Sequence, residues 1–127
     1  MADPLQVHLV ATDREVWSGE ATLVTLETLE GSVGIMPKHS PLLAMLKEAP
    51  VLIRQVDGTD VTAAVHAGFA LVDDGQVIIL AESAELAGEI DKSQAEKLLE
   101  QAQASETSES ADAAKRRAET RLKVAGS

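Results

Sequence analysis

The sequence predicts a mostly β fold with an α appendage: an N-terminal β-sandwich over residues 1–88, then an antiparallel two-helix hairpin over 89–127. Two observations carry this. Residues 5 to about 83 fall into short stretches rich in Val, Ile, Leu and Thr, divided by turn signals, with no helix-length pattern between them. Near Gly88 the apolar period lengthens from that of a strand to that of a helix.

Leu5 to Leu9 alternates apolar and polar residues, as a half-buried strand does. Glu20 to Leu29 is rich in Thr and Leu and reads as extended. Val51 to Val56 runs into Asp57-Gly58, a hairpin signal, and Val61 to Val65 pairs back. Phe69 to Val72 meets a second signal, Asp73-Asp74-Gly75. Val77 to Ala81 completes that hairpin and, being apolar throughout, reads as a strand buried on both faces.

Asp91 can cap a helix, with Gln94 in the capping-box position and Ile90 and Ala95 placed as a hydrophobic staple. Ala95, Leu98, Leu99 and Ala102 mark one helical face. Ser105 to Ser110 is polar and reads as a loop. A second helix from about Ala111 to Val124 shows Ala111, Ala114, Ala118, Leu122 and Ala125 on its apolar face. Alanine buries little area, so this hairpin is expected to be weakly held. Pattern alone leaves two roles open, a mobile switch and a C-terminal brace.

Composition excludes several functions. Aromatic residues are 2% of the chain, one Trp (Trp17) and one Phe (Phe69) with no Tyr, so the core is Val, Leu, Ile and Ala. Base and sugar stacking have almost no rings to use. The net charge of −10 disfavours nucleic acid and anionic lipid. There is no cysteine, which removes disulfides and thiolate chemistry. Met1-Ala2-Asp3-Pro4 carries no signal-peptide pattern and no apolar run would span a bilayer, so the expectation is a soluble protein with no direct membrane insertion. The charge is uneven: residues 1–111 sum to −13 and residues 112–127 to +3. Two accounts fit the basic end, an acidic target and a favourable helix dipole.

No catalytic constellation is present. His8, His39 and His66 are scattered, with no metal-ligand spacing. No serine sits in a nucleophile elbow, and Gly31 to Gly34 lacks the third glycine and following helix of a dinucleotide loop. The distinctive stretch is Glu30 to Ala44. Gly31 and Gly34 permit tight turns, Pro37 and Pro41 forbid a central strand, and His39 stands between them on an exposed corner. Leu42 and Leu43 then restart a buried strand. Such a corner suits a docking surface or a structured connection equally.

The Gly-x-x-Gly-Ile-x-Pro-x-His-x-Pro-Leu-Leu pattern from Gly31 to Leu43 resembles the signature of the epsilon subunit of F-type ATP synthases, called delta in mitochondria. Trp17-Ser18-Gly19, Gly68-Phe69, the run Val77 to Glu82, Ile90-Asp91, Arg117-Ala118 and Arg121-Leu122 extend the resemblance from about Leu5 to Ala125. It implies a non-catalytic rotor subunit of the central stalk, with no required cofactor or metal. The implied partners are the gamma subunit, the ring of c subunits and the catalytic beta and alpha subunits. The implied place is the cytoplasmic face of the bacterial cell membrane, as a peripheral part of the complex.

The resemblance assigns docking on the c-ring and gamma to Gly31, Ser32, Val33 and His39; some relatives have a carboxylate where this chain has Ser32. It assigns an inhibitory contact with the catalytic subunits to Arg116, Arg117, Arg121 and Lys123. Some relatives hold a regulatory ATP in the folded hairpin, which implies Glu85, Ile90, Asp91, Ala95, Arg117 and Arg121 here, with Gln94 replacing the arginine of that motif and weakening the site. Two other classes fit the residues less closely: a free-standing β-sandwich adaptor and an ATP-sensing regulator. Association with gamma separates the first, and ATP affinity the second.

Overall fold

The structure, a computed structural model, describes residues 3–104 and 109–125. Alternation places the strands. In β1 (Leu5–Ala11) Leu5, Val7, Leu9 and Ala11 point inward. It is followed by β2 (Glu15–Thr28), β3 (Gly31–Ile35), β4 (Leu42–Leu46), β5 (Ala49–Gln55), β6 (Asp60–Asp73) and β7 (Gln76–Leu86). These seven strands form one sheet folded over on itself. β1 pairs with β2 and, in parallel, with β7. β7 pairs with β6, and β5 joins β6 to β2, which closes the ring of pairings. The interior is filled by Leu5, Leu9, Leu26, Ile35, Ile53, Ile79 and several valines, all fully buried.

Both turn signals form hairpins. Asp74 and Gly75 both take positive φ (49° and 78°) in a two-residue loop between the paired Asp73 and Gln76. At the other, the Asp57 carboxylate accepts the Thr59 N–H at 2.9 Å. Gly19 has a packing reason: a Cβ there would lie 2.9 Å from the Trp17 ring.

Several boundaries differ from expectation. β2 starts at Glu15, not near Glu20. Val61 to Val65 and Phe69 to Val72 belong to one strand, β6, bent in its middle where Ala67 takes φ 61° and Gly68 φ 152°. Gly31 to Ile35 is not a loop: it pairs with β2 from Thr28↔Gly31 to Val24↔Ile35, because its glycines do not interrupt the ladder. Only residues 36–41 form the corner, where the His39 N–H donates to the Met36 carbonyl at 3.1 Å.

A 3₁₀ turn (Ala87–Glu89) leads to α1 (Lys92–Ala104) and α2 (Glu109–Ala125). The Asp91 carboxylate caps α1 by accepting the Gln94 N–H at 3.0 Å. Glu109 and Ser110, expected in the loop, belong to α2; residues 105–108 lie outside the described residues. α2 packs on β5, β6 and the 3₁₀ turn, and α1 packs on α2. On α1 Ala95 is buried while Leu98 is exposed, because α1 meets α2 with a narrower face than the period allows. Among the described residues of α2, Ala118, Thr120 and Val124 are buried; the last two were not on the expected face.

Candidate functional site

The bend in β6 divides the outer surface of the sheet. Before it, Ala64 and His66 are buried although Ala64 lies outside the main core cluster, since α2 covers this half. After it, the outward residues of β4 and β6 and Leu80 of β7 are exposed, while Ile78, His8 and Val10 are half-buried. Two cross-strand rows run over β4, β6, β7 and β1: Leu43–Leu71–Ile78–His8 and Met45–Phe69–Leu80–Val10. At about 4.8 Å between strands, each row is about 14 Å long.

Leu43 is 71% exposed and Leu80 51%, with Met45, Phe69 and Leu71 also open to solvent. The expectation that Val77 to Ala81 is buried on both faces is therefore corrected: Val77, Ile79 and Ala81 face the core, while Leu80 faces outward and is not covered by the described residues. Leu43, expected in a buried strand, is corrected for the same reason. Exposed apolar residues gathered on one sheet face make this a candidate binding surface. Its sequence signal was the unbroken apolar run Val77 to Ala81 within β7, where a half-buried strand would alternate.

The motif residues separate into two places. Gly31, Ser32 and Val33 lie at the start of β3 and line a cleft of about 410 Å³ with Leu29, Leu43 and Met45. Ser32 donates to the Glu27 carboxylate at 2.7 Å, so a carboxylate stands beside the position where some relatives carry one. His39 lies beyond the far end of β3, on a separate open groove with Lys38, Asp3, Asp73 and Asp74.

The tail meets the sandwich through a row of charged groups. His66 is 3% exposed. Its Nδ1 lies 2.6 Å from Glu48 Oε2 and its Nε2 2.8 Å from Glu85 Oε1. An ionised carboxylate only accepts, so both contacts are hydrogen bonds when each ring nitrogen carries a hydrogen. Arg121 on α2 donates through Nε to the same Glu85 oxygen at 2.6 Å. Arg117, one turn earlier and 51% exposed, lies 3.7 Å from Glu48. Burial works to raise the Glu85 carboxyl, but hydrogen bonds from Arg121 and His66 outweigh it and hold the group below its usual value. Arg14 anchors the connection: it grips Glu89 from both terminal nitrogens, at 2.9 and 3.1 Å. Glu89 also accepts the Leu86 N–H at 3.0 Å.

Glu85, Ile90, Asp91, Ala95 and Arg121 surround one cavity of about 190 Å³, so the structure brings together five of the six residues assigned to ATP. Arg117 is absent from its lining. Glu89 adds a third carboxylate to Glu85 and Asp91, so the charged groups of the lining are three carboxylates against the one guanidinium of Arg121. Arg116 and Lys123 are exposed on α2. Among the described residues no cluster of His, Asp and Glu is arranged to hold a metal ion, and no helix is long and apolar enough to cross a membrane. Glu48 was not singled out in the sequence and His66 was weighed only as a metal ligand; no local pattern marks their pairing.

Comparison with known proteins gives consistent matches. Residues 4–87 match the family described as ATP synthase, Delta/Epsilon chain, beta-sandwich domain. The ATP synthase epsilon chain of Streptomyces avermitilis is 52% identical over 124 residues, covering 98% of this chain and 97% of that one. That of Streptomyces coelicolor is 53% identical over 125 residues, covering 98% of each. Among solved structures, a chain of the Euglena gracilis mitochondrial ATP synthase (OSCP/F1/c-ring) superposes with a TM-score of 0.85 at 24% identity, covering 100% of this chain and 84% of that one. A chain of the Tetrahymena thermophila mitochondrial ATP synthase central stalk and c-ring gives 0.63 at 17% identity, covering 97% and 94%. These two likenesses concern the fold.

Proposed function

The chain belongs to the family of ATP synthase delta and epsilon chains, and from that premise we propose that it is a non-catalytic rotor subunit that docks on gamma through its bare apolar face. The observation that carries this is the exposed apolar set Leu43, Met45, Phe69, Leu71 and Leu80 across β4, β6 and β7. A sheet face this apolar is stable in water when a partner covers it. Gly31, Ser32 and Val33, in the cleft continuous with Leu43 and Met45, and His39 at the far corner meet the c-ring and gamma. Rotation of the ring then reaches gamma in part through this subunit. The complex holds the chain at the cytoplasmic face of the bacterial membrane without inserting it.

The hairpin restrains hydrolysis by leaving the sandwich and reaching the catalytic beta and alpha subunits. Arg116, Arg117, Arg121 and Lys123 meet acidic segments there. A net charge of +3 over residues 112–127 on an acidic body supports this. The hairpin is thus the mobile, regulatory unit and the sandwich the fixed one.

A regulatory ATP in the folded hairpin is a second reading. In its favour, Glu85, Ile90, Asp91, Ala95 and Arg121 share one cavity. Against it, that cavity is small and acidic, and its arginine is already paired with Glu85. Titration calorimetry with Mg-ATP measures it directly.

The docking proposal is tested by co-purification with the gamma subunit. The full chain is expected to hold gamma, and a Leu43→Asp/Phe69→Asp variant to lose it while keeping the unfolding midpoint of the parent. Undiminished gamma binding by that variant would overturn the assignment of this face.

A further inference from the structure

We propose that Glu48, His66 and Glu85 form an internal latch that closes the hairpin on the sandwich by holding Arg121, with Arg117 as a minor contact, so that the folded position needs no nucleotide. For its regulatory consequence this rests on the inhibitory role of α2 proposed above.

The apolar grip on α2 is thin. Its fully buried apolar residues are Ala118 and Val124, and on α1 only Ala95 is buried among the described residues. Small side chains contribute little burial energy. Against that weak background a charge-assisted, partly buried hydrogen bond is a large share of what holds the helix. The Arg121–Glu85 pair qualifies: 2.6 Å, with both side chains about three-quarters shielded from water. The Arg117–Glu48 pair is long and its arginine is half exposed, so it contributes little.

His66 gives the row its rigidity. Held at 2.6 Å to Glu48 and 2.8 Å to Glu85, it orients both carboxylates from a buried position on β6. Glu85 is therefore fixed before the helix arrives, and Arg121 loses little more than its own freedom on pairing. The connection is fixed too, because Arg14 clamps Glu89 just before α1.

Two consequences follow. A guanidinium seated on Glu85 cannot also grip an acidic segment of a catalytic subunit, so closing and inhibiting are mutually exclusive uses of Arg121. The same guanidinium is withheld from a phosphate, so Glu85 occupies the place an anionic ligand would take.

The test is amide hydrogen exchange on the full-length chain, with and without Mg-ATP. Glu85→Gln is expected to speed exchange in residues 111–125 by about tenfold or more, leaving strands β1 and β5 protected. Arg121→Gln breaks the pair from the helix side without touching the sandwich, and should do the same. The double variant should open the helix no further, as for two partners in one interaction. Mg-ATP should leave the parent's protection unchanged. Unchanged exchange in both single variants would overturn the latch, as would a tenfold gain in parental protection on adding Mg-ATP. In the head assembled with gamma, Glu85→Gln should inhibit hydrolysis more strongly than the parent. Faster exchange with unaltered hydrolysis would uphold the latch and reject the inhibitory role of α2.

Discussion

The Glu85 carboxylate and the Arg121 guanidinium meet at 2.6 Å across the junction between sandwich and tail. Glu85 titrates below its usual value because hydrogen bonds from Arg121 and His66 outweigh the upward push of burial. Its contribution to holding the hairpin is therefore complete above the unfolded value of about 4.3 and fades as pH falls through the lower, folded value. An NMR titration of α2 amides should show the helix docked from neutral pH down to about 5, then released in stronger acid. Glu85→Gln should flatten that transition.

Arg116 and Arg121 should separate two effects. Arg116 is exposed, whereas Arg121 is committed to Glu85. Arg116→Ala should relieve inhibition of hydrolysis and leave α2 exchange unchanged. Arg121→Ala should open the hairpin and also weaken the inhibitory contact. Assaying hydrolysis and exchange on the same two variants checks both, and replacing Arg116, Arg117 and Arg121 together should leave assembly intact.

Gly68 should not tolerate a side chain. A Cβ there collides with the Leu80 carbonyl and sits 2.8 Å from Ala81 Cα, and the φ of 152° is itself a glycine conformation. Gly68→Ala should cost several kcal/mol, about 3 or more, since backbone must move on both strands. Urea unfolding of the full chain measures this. Gly75→Ala, with open space around it, should cost only about 1 kcal/mol for its positive φ.

Asp91 should matter locally. Replacing it with Ala removes the acceptor of the Gln94 N–H and should cost α1 about 1 kcal/mol. The expected signature is faster exchange at the start of α1 with little change in the sandwich.

Most of the fold was legible because its signals are local. Alternation marked β1, Asp57-Gly58 and Asp74-Gly75 marked the hairpins, and Asp91 marked the start of α1. β3 was hidden because glycines at 31 and 34 mask a strand whose partner residues lie on β2. The one-strand nature of β6 was hidden by Ala67 and Gly68, which interrupt its pattern where the sheet bends. The apolar face was half visible: Val77 to Ala81 read as apolar on both sides, but the sequence could not say that Leu80 would stand exposed. The latch was invisible, since His66 joins carboxylates 18 and 19 residues away and Arg121 reaches Glu85 across 36. No local period records such distances.

The most direct test of the rotor assignment is ATP hydrolysis by the matching catalytic head carrying gamma. Three samples suffice: no addition, the full chain, and a version ending at Gly88. Both versions should bind through the sandwich, and only the full chain should suppress hydrolysis. If neither version binds, the docking face and the rotor role are wrong; if both bind and suppress equally, the tail is not the inhibitory arm.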